Sequence, residues 1–236
     1  MQGELEKALA RVANHETRVT ACGRTDTGVH ALCQVTHFDS PAQRSERSWV
    51  LGLNSNRPAG ISILWVRPVD NEFHARFSAF ARSYRYRILN RWVRPALENG
   101  RASWIRHPLD AGDMNTAAQH LLGEHDFTSF RASACQATHA VREIQSISVS
   151  RQGDVLNLDV TANGFLYHMV RNIAGSLIRV GKGDAQPNWV REVLQAQDRK
   201  QAAATAQPDG LYFLGARFPD HFGLPDSAPN FPTRKA

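Results

Sequence analysis

Residues 23–31 read G-R-T-D-T-G-V-H-A and set one carboxylate, Asp26, on a turn bracketed by Gly23 and Gly28, directly after a strand-like segment at residues 18–22. An acid in that position is presented to its surroundings rather than packed into a helix. Arg24 lies two residues before it, and a nearby cation favours the ionised form of a carboxylate. An ionised aspartate held for attack can do covalent chemistry at a sugar carbon without a cofactor. The plainer reading of an Asp-x-Gly is a turn in a surface loop, so the rest of the chain has to decide.

A second concentration of chemistry lies at residues 73–94, where Arg76, Arg82, Arg85, Arg87, Arg91 and Arg94 alternate with Phe77, Phe80, Tyr84, Tyr86 and Trp92. Cations for phosphates and rings for bases are the means by which single-stranded nucleic acid is held. The competing reading is an amphipathic edge strand with a solvated arginine face and tyrosines turned inward. A third place is H-M-V-R-N at residues 168–172. There the apolar stripe of a helix turns Arg171 away from Met169 and Ile173, leaving it either solvated or aimed at a carboxylate elsewhere.

Composition narrows the partners. The formal net charge is +6, which favours a polyanion. Of 28 basic residues only Lys7, Lys182, Lys200 and Lys235 are lysines, and arginine suits phosphate and base recognition better. Three cysteines, Cys22, Cys33 and Cys135, are an odd and sparse set, which argues against a disulfide framework and fits a reducing compartment. The spacing of Cys22, His30, Cys33 and His37 matches no familiar zinc pattern, so no metal is expected. No apolar run of membrane-spanning length occurs, and M-Q-G-E-L-E at the start lacks the apolar core of a signal peptide. A cytoplasmic protein without a membrane partner is expected.

The elements that must position these residues follow from periodicity. Leu5, Leu9 and Val12 predict an amphipathic helix over residues 3–14. Strands are predicted at 18–22 and 33–39 on either side of the Asp26 turn, then a helix at 45–53 and a strand at 61–69. The strand at 80–90 alternates, with Arg82, Tyr84, Tyr86 and Ile88 on one face and Ser83, Arg85 and Arg87 on the other. A helix at 110–122 has Asp110 as its cap and Gly123 as its stop. A hairpin pairs 141–150 with 155–162 across Q-G-D. Helices at 165–180 and 188–197 precede a last strand at 210–218. The second half thus repeats the first half's order, which predicts an α+β protein of two lobes: residues 1–70 with the Asp26 loop, residues 71–220, and a loose proline-rich tail at 221–236.

Taken together, G-R-T-D-T-G-V-H-A, the F-H-A-R-F-S-A run at 73–79 with Tyr84-Arg85-Tyr86, H-D-F-T-S-F-R at 125–131, H-M-V-R-N-I-A-G-S-L at 168–177 and Gly210-Leu211-Tyr212 resemble the tRNA pseudouridine synthase A family. The motifs stand in the family's order and extend to about residue 219. The resemblance implies the pseudouridine synthase fold, two ferredoxin-like lobes with a mixed, largely antiparallel sheet, and a homodimer. It implies isomerisation of uridine in the anticodon stem and loop of tRNA, at tRNA positions 38 to 40, with no cofactor. Asp26 falls on the family's catalytic aspartate, Arg171 on the arginine that pairs with it, and Tyr84 on the tyrosine that contacts the uracil. Arg24 falls on the residue that props open the RNA stack, and Leu211 on a position lining the uracil pocket. Arg82 is expected to contribute to the basic face that meets the RNA. The family's pattern has a further strand and loop, with Tyr-Asp-Gly and Gly-Trp-Gln, ahead of the helix at 3–14. This chain starts at the helix, so an apolar edge is expected to lie open there.

Pseudouridine formation breaks N1–C1′, turns the uracil and joins C5 to C1′, and the stacked base must first be flipped out. Asp26 would attack C1′ or remove the 2′-proton to give a glycal, and Tyr84 would stack on the uracil and assist removal of the C5 proton. Two rivals remain at this point. D-T-G is also the aspartic protease triplet, and a chain of this fold could bind RNA without acting on it.

Overall fold

The computed structural model describes residues 1–225. In chain order its main elements are helix α1 (Gln2–Ala13), strands β1 (Thr20–Ala21), β2 (His30–Ala31) and β3 (Thr36–His37), and helix α2 (Glu46–Ser55). Strands β4 (Ala81–Asn90) and β5 (Ser103–Ile105), helix α3 (Ala111–Gln119) and strands β6 (Gly123–Asp126), β7 (Val141–Gln152) and β8 (Val155–Ala162) follow. Helices α4 (Met169–Gly181) and α5 (Trp189–Ala196) and strand β9 (Leu211–Arg217) complete the order. The protein is α+β with a mixed, largely antiparallel sheet, as the sequence predicts.

The described chain separates into two units that do not follow a cut at residue 70. One comprises residues 1–24, 34–79 and 218–225, and the other Thr25–Cys33 with Phe80–Arg217. Residues 25–33, with Asp26, therefore belong to the second unit rather than to an N-terminal lobe.

In the first unit Leu9, Val12 and Ala8 of α1 are buried with Trp49 and Leu53 of α2. Ser45 caps α2 by accepting from Ser48 N. The segments at 18–22 and 33–39 pair through Thr20–Ala21 and Thr36–His37, and Cys22 N donates to the Val35 carbonyl at 2.8 Å beside them. The strand predicted at 61–69 is absent. Ile63 and Val66 do pack on the helices, but the Ile63 N–H donates to Asn54 Oδ1 (3.0 Å) and its carbonyl accepts from Asn54 Nδ2 (2.9 Å). A helix side chain thus satisfies the backbone that a neighbouring strand would otherwise have to pair. The tail predicted from residue 221 begins with a short turn, Asp220–Phe222, and Phe222 lies edge-on to Phe73. Residues 226–236 of it lie outside the described residues.

The second unit is built on a sheet of order β2-β9-β4-β8-β7-β6, with β5 joined to the far end of β4. β4 pairs with β8 on one side and β9 on the other, so the arginine-rich strand is central and not an edge. Its alternation has the predicted sense in the middle of the strand. Tyr86 and Ile88 are buried in the core, while Ser83 and Arg85 form polar cross-strand pairs with Thr161 and Asp159. α4 packs against this core through Met169, Ile173 and Leu177, all buried. It starts four residues later than predicted because His168 adopts a left-handed backbone (φ 60°) that no helix can continue.

Candidate active site

The Asp26 turn is closed by a Val29 N–H that donates to the Asp26 carbonyl at 3.1 Å. Gly28, the third residue of that turn, has φ 86°, the left-handed conformation that a type II turn reserves for glycine. A side chain there would also meet the Pro208 ring at 3.0 Å. Beyond the turn, β2 pairs in parallel with β9, and Leu32 N donates to Phe213 O at 2.8 Å. His30 stacks on Tyr212 and bonds the Gly100 carbonyl. The loop is therefore tied to the sheet immediately after the aspartate.

The other half of the site comes from the first turn of α4. Arg171 donates from Nη1 to Asp26 Oδ2 at 3.1 Å and from Nε to the Ala206 carbonyl at 2.8 Å. Two bonds from one planar group fix its orientation. Its side chain is 13% exposed and that of Asp26 27%, so the pair is sheltered yet open on one side. The segment carrying Ala206 is itself pinned to α4. Buried Asn172 accepts from Thr205 Oγ1 (2.6 Å) and Arg199 (3.1 Å) and donates to the Phe130 carbonyl (2.8 Å). Gly175 faces the Ala204 carbonyl so closely that a Cβ there would overlap it. Tyr86, whose hydroxyl pKa is pushed up to about 12 by burial, donates to the Gln207 carbonyl at 2.8 Å.

His168 also reaches the aspartate, with Nε2 3.0 Å from the same Oδ2. Burial lowers its pKa below the ordinary 6.5 despite the attraction of Asp26, so at neutral pH the ring is uncharged. The contact is accordingly a hydrogen bond from Nε2–H to the carboxylate rather than a salt bridge.

Of the predicted residues, Asp26 and Arg171 meet directly. Tyr84 stands on β4 in register with Phe213, which is in turn in register with Ala31 of β2, so β9 separates the tyrosine strand from the strand that follows the Asp26 turn. Its ring is edge-on to Phe165 at 4.9 Å and tilted against Phe213 at 5.1 Å. Leu211 is buried in the same core. Arg82 donates to the Asn163 carbonyl at 3.1 Å. Arg24 is exposed.

A family profile described as tRNA pseudouridine synthase matches residues 1–78 and 117–219. The chain belongs to that family. A tRNA pseudouridine synthase A from Nitrosococcus oceani is 53% identical over 225 residues, covering 95% of this chain and 87% of its own. One from Xylella fastidiosa is 52% identical over 225 residues, covering 95% and 88%. One from Thiobacillus denitrificans is 49% identical over 232 residues, covering 98% and 89%. Asp26, Arg24, Arg171 and Leu211 fall within the profile's matched segments, whereas Tyr84 and Arg82 fall between them.

Membership in the pseudouridine synthase family displaces the aspartic protease reading. The described partners of the Asp26 carboxylate are a guanidinium and an imidazole, whereas a protease dyad sets a second carboxylate there. His168 received no role from the sequence, although a signal was present. It precedes Arg171 by three residues, and side chains at that spacing stand on one side of a helical turn. Asn172, Gly175 and the Ala206 carbonyl were also missed, because their part is to hold Arg171.

Proposed function

We propose that this chain converts uridine to pseudouridine in the anticodon stem and loop of tRNA, at positions 38 to 40, with Asp26 as the reacting group. Isomerisation of tRNA uridine is the activity of its family. The observation that carries the residue assignment is the Asp26 carboxylate, presented on a glycine turn with Oδ2 held by Arg171. Among the described residues Oδ1 accepts no protein hydrogen bond, and one free oxygen is what attack at C1′ or removal of the 2′-proton requires. The N1–C1′ bond then breaks, the uracil turns, C5–C1′ forms, and the C5 proton is lost as N1 gains one. The product is an isomer, and no electrons are exchanged with a cofactor.

Tyr84 and Leu211 would contact the uracil, while Arg24 would occupy the gap left by the flipped base. That step costs a few kcal/mol, which contacts to the opened RNA offset. Arg82 would contribute to the RNA-facing basic surface. Phe77, 75% exposed and stacked on His74, presents a ring of the kind on which a base can lie. A homodimer in the cytoplasm is part of the same reading and rests on the family resemblance and the composition. Among the described residues no helix is long and apolar enough to cross a membrane.

The test is tritium release from tRNA labelled at uridine C5. Wild-type protein should release it and Asp26→Asn should not, while the variant still binds tRNA. Release by Asp26→Asn would refute the assignment, and a wild-type chain that binds tRNA without release would be an RNA-binding module.

A further inference from the structure

His168 occupies the N-cap position of α4 yet makes no capping hydrogen bond. Its backbone is left-handed (φ 60°), a conformation that few residues other than glycine adopt, although histidine, like asparagine and aspartate, enters it more readily than most. The ring is stacked on Tyr167 at 3.9 Å, and its Nε2 is directed at Asp26 Oδ2. The charged groups around it are Asp26 from the loop before β2, Arg171 from the first turn of α4, and Arg199 from the segment after α5.

We propose that His168 is a positioning residue for the reaction: its Nε2–H and Arg171 together tie down Oδ2 of Asp26, leaving Oδ1 as the oxygen that meets the ribose. This rests on Asp26 being the reacting group. A carboxylate turns easily about its terminal torsion, which is broad for a bond between sp³ and sp² carbons. One donor leaves that rotation open, and two donors arriving from different residues close it. A neutral imidazole does this without adding a second cation beside Arg171, which would draw electron density from the carboxylate and blunt it as nucleophile or base. Burial moves protonation of the ring to lower pH than in a free histidine. Acidification then places two cations on Asp26, and turnover declines.

The experiment compares kcat and KM of full-length wild type, His168→Gly, His168→Gln and Asp26→Asn on tRNA between about pH 5 and pH 8, with melting curves for each protein. Glycine suits the left-handed backbone, so His168→Gly retains the turn. Its kcat should fall about ten- to a hundredfold, the range for one hydrogen bond to a charged group, with KM for tRNA little changed. Glutamine offers an amide donor near the former Nε2 without a titrating ring. His168→Gln should recover most of the loss, and the acid limb of its pH profile should move to lower pH. Wild-type kcat in His168→Gly, no recovery in His168→Gln, or an unmoved acid limb in His168→Gln would each overturn the proposal. If His168→Gly does not fold, the pH profile of His168→Gln decides. Turnover by Asp26→Asn would instead overturn the assignment of Asp26 on which the proposal rests.

Discussion

Arg171 orients the carboxylate only because its guanidinium serves two acceptors at once, Asp26 Oδ2 and the Ala206 carbonyl. A lysine retains the charge but lacks the planar fork. Arg171→Lys should therefore lower kcat by about ten- to a hundredfold, the value of one or two charge-assisted bonds, with an unchanged circular dichroism spectrum. Full activity would show that charge alone suffices. His37 makes a different kind of demand. Its Nδ1 accepts the Ala75 N–H at 3.1 Å, which requires an unprotonated nitrogen, and burial with the nearby His74 lowers its pKa below 6.5. The unfolded chain thus binds the proton more readily. The resulting stability is present above pH 6.5 and is lost as pH falls towards the folded value. The melting temperature should drop on acidification from about pH 7.5 to about 5.5, and His37→Gln should show a smaller drop. An identical pH dependence in the variant would remove His37 from the account.

Helix α4 and the 198–209 segment act as one assembly. Gly175 allows the segment to lie against the helix, and Asn172, Thr205 and Arg199 bond it there, which sets the Ala206 carbonyl at Arg171. A methyl group at 175 would displace backbone rather than the end of a flexible side chain. Gly175→Ala should accordingly destabilise the protein by about 1–3 kcal/mol, the usual range for overpacking, despite alanine's better helix propensity. Because the displaced segment carries the carbonyl that holds Arg171, kcat should fall as well. Urea unfolding and steady-state kinetics measure both, and a stabilised, fully active variant would contradict this coupling. Strand β4 shows a corresponding division. Tyr86 secures the same segment from beneath, while Arg85 is bonded to Asp159 at 2.6 and 2.9 Å.

For the molecule as a whole, a net charge of +6 and the arginine-rich β4 region favour an RNA partner. Arg82 and Arg85 of β4 differ in what they hold. Arg85 is engaged in a two-point ion pair within the sheet, so its removal should reduce stability, by about 1 kcal/mol for a part-exposed pair, more than it alters RNA binding. Arg82→Ala should flatten the plot of log affinity for tRNA against log salt by about 0.7 to 0.9, one phosphate contact's worth. Equal slopes in wild type and Arg82→Ala would place the RNA-facing cations elsewhere.

Much of the chemistry was legible in the residues alone. Asp26 on a glycine turn, an arginine turned off an apolar stripe at 171, and the strand and helix periods around them are local properties, set by φ preference and by side-chain spacing. The hairpin of β7 and β8 and the helices with their own caps could be read for the same reason. What could not be read depended on contacts between distant parts of the chain. A two-residue strand such as β2 has no period to detect, and it exists because β9 lies beside it. The strand predicted at 61–69 had the right apolar residues, but an asparagine from α2 took both backbone hydrogen bonds of Ile63. Whether Arg171 was solvated or paired, and whether His168 was a cap or a donor, depended on which loop came within about 3 Å of α4, a distance set by tertiary packing rather than by residue type.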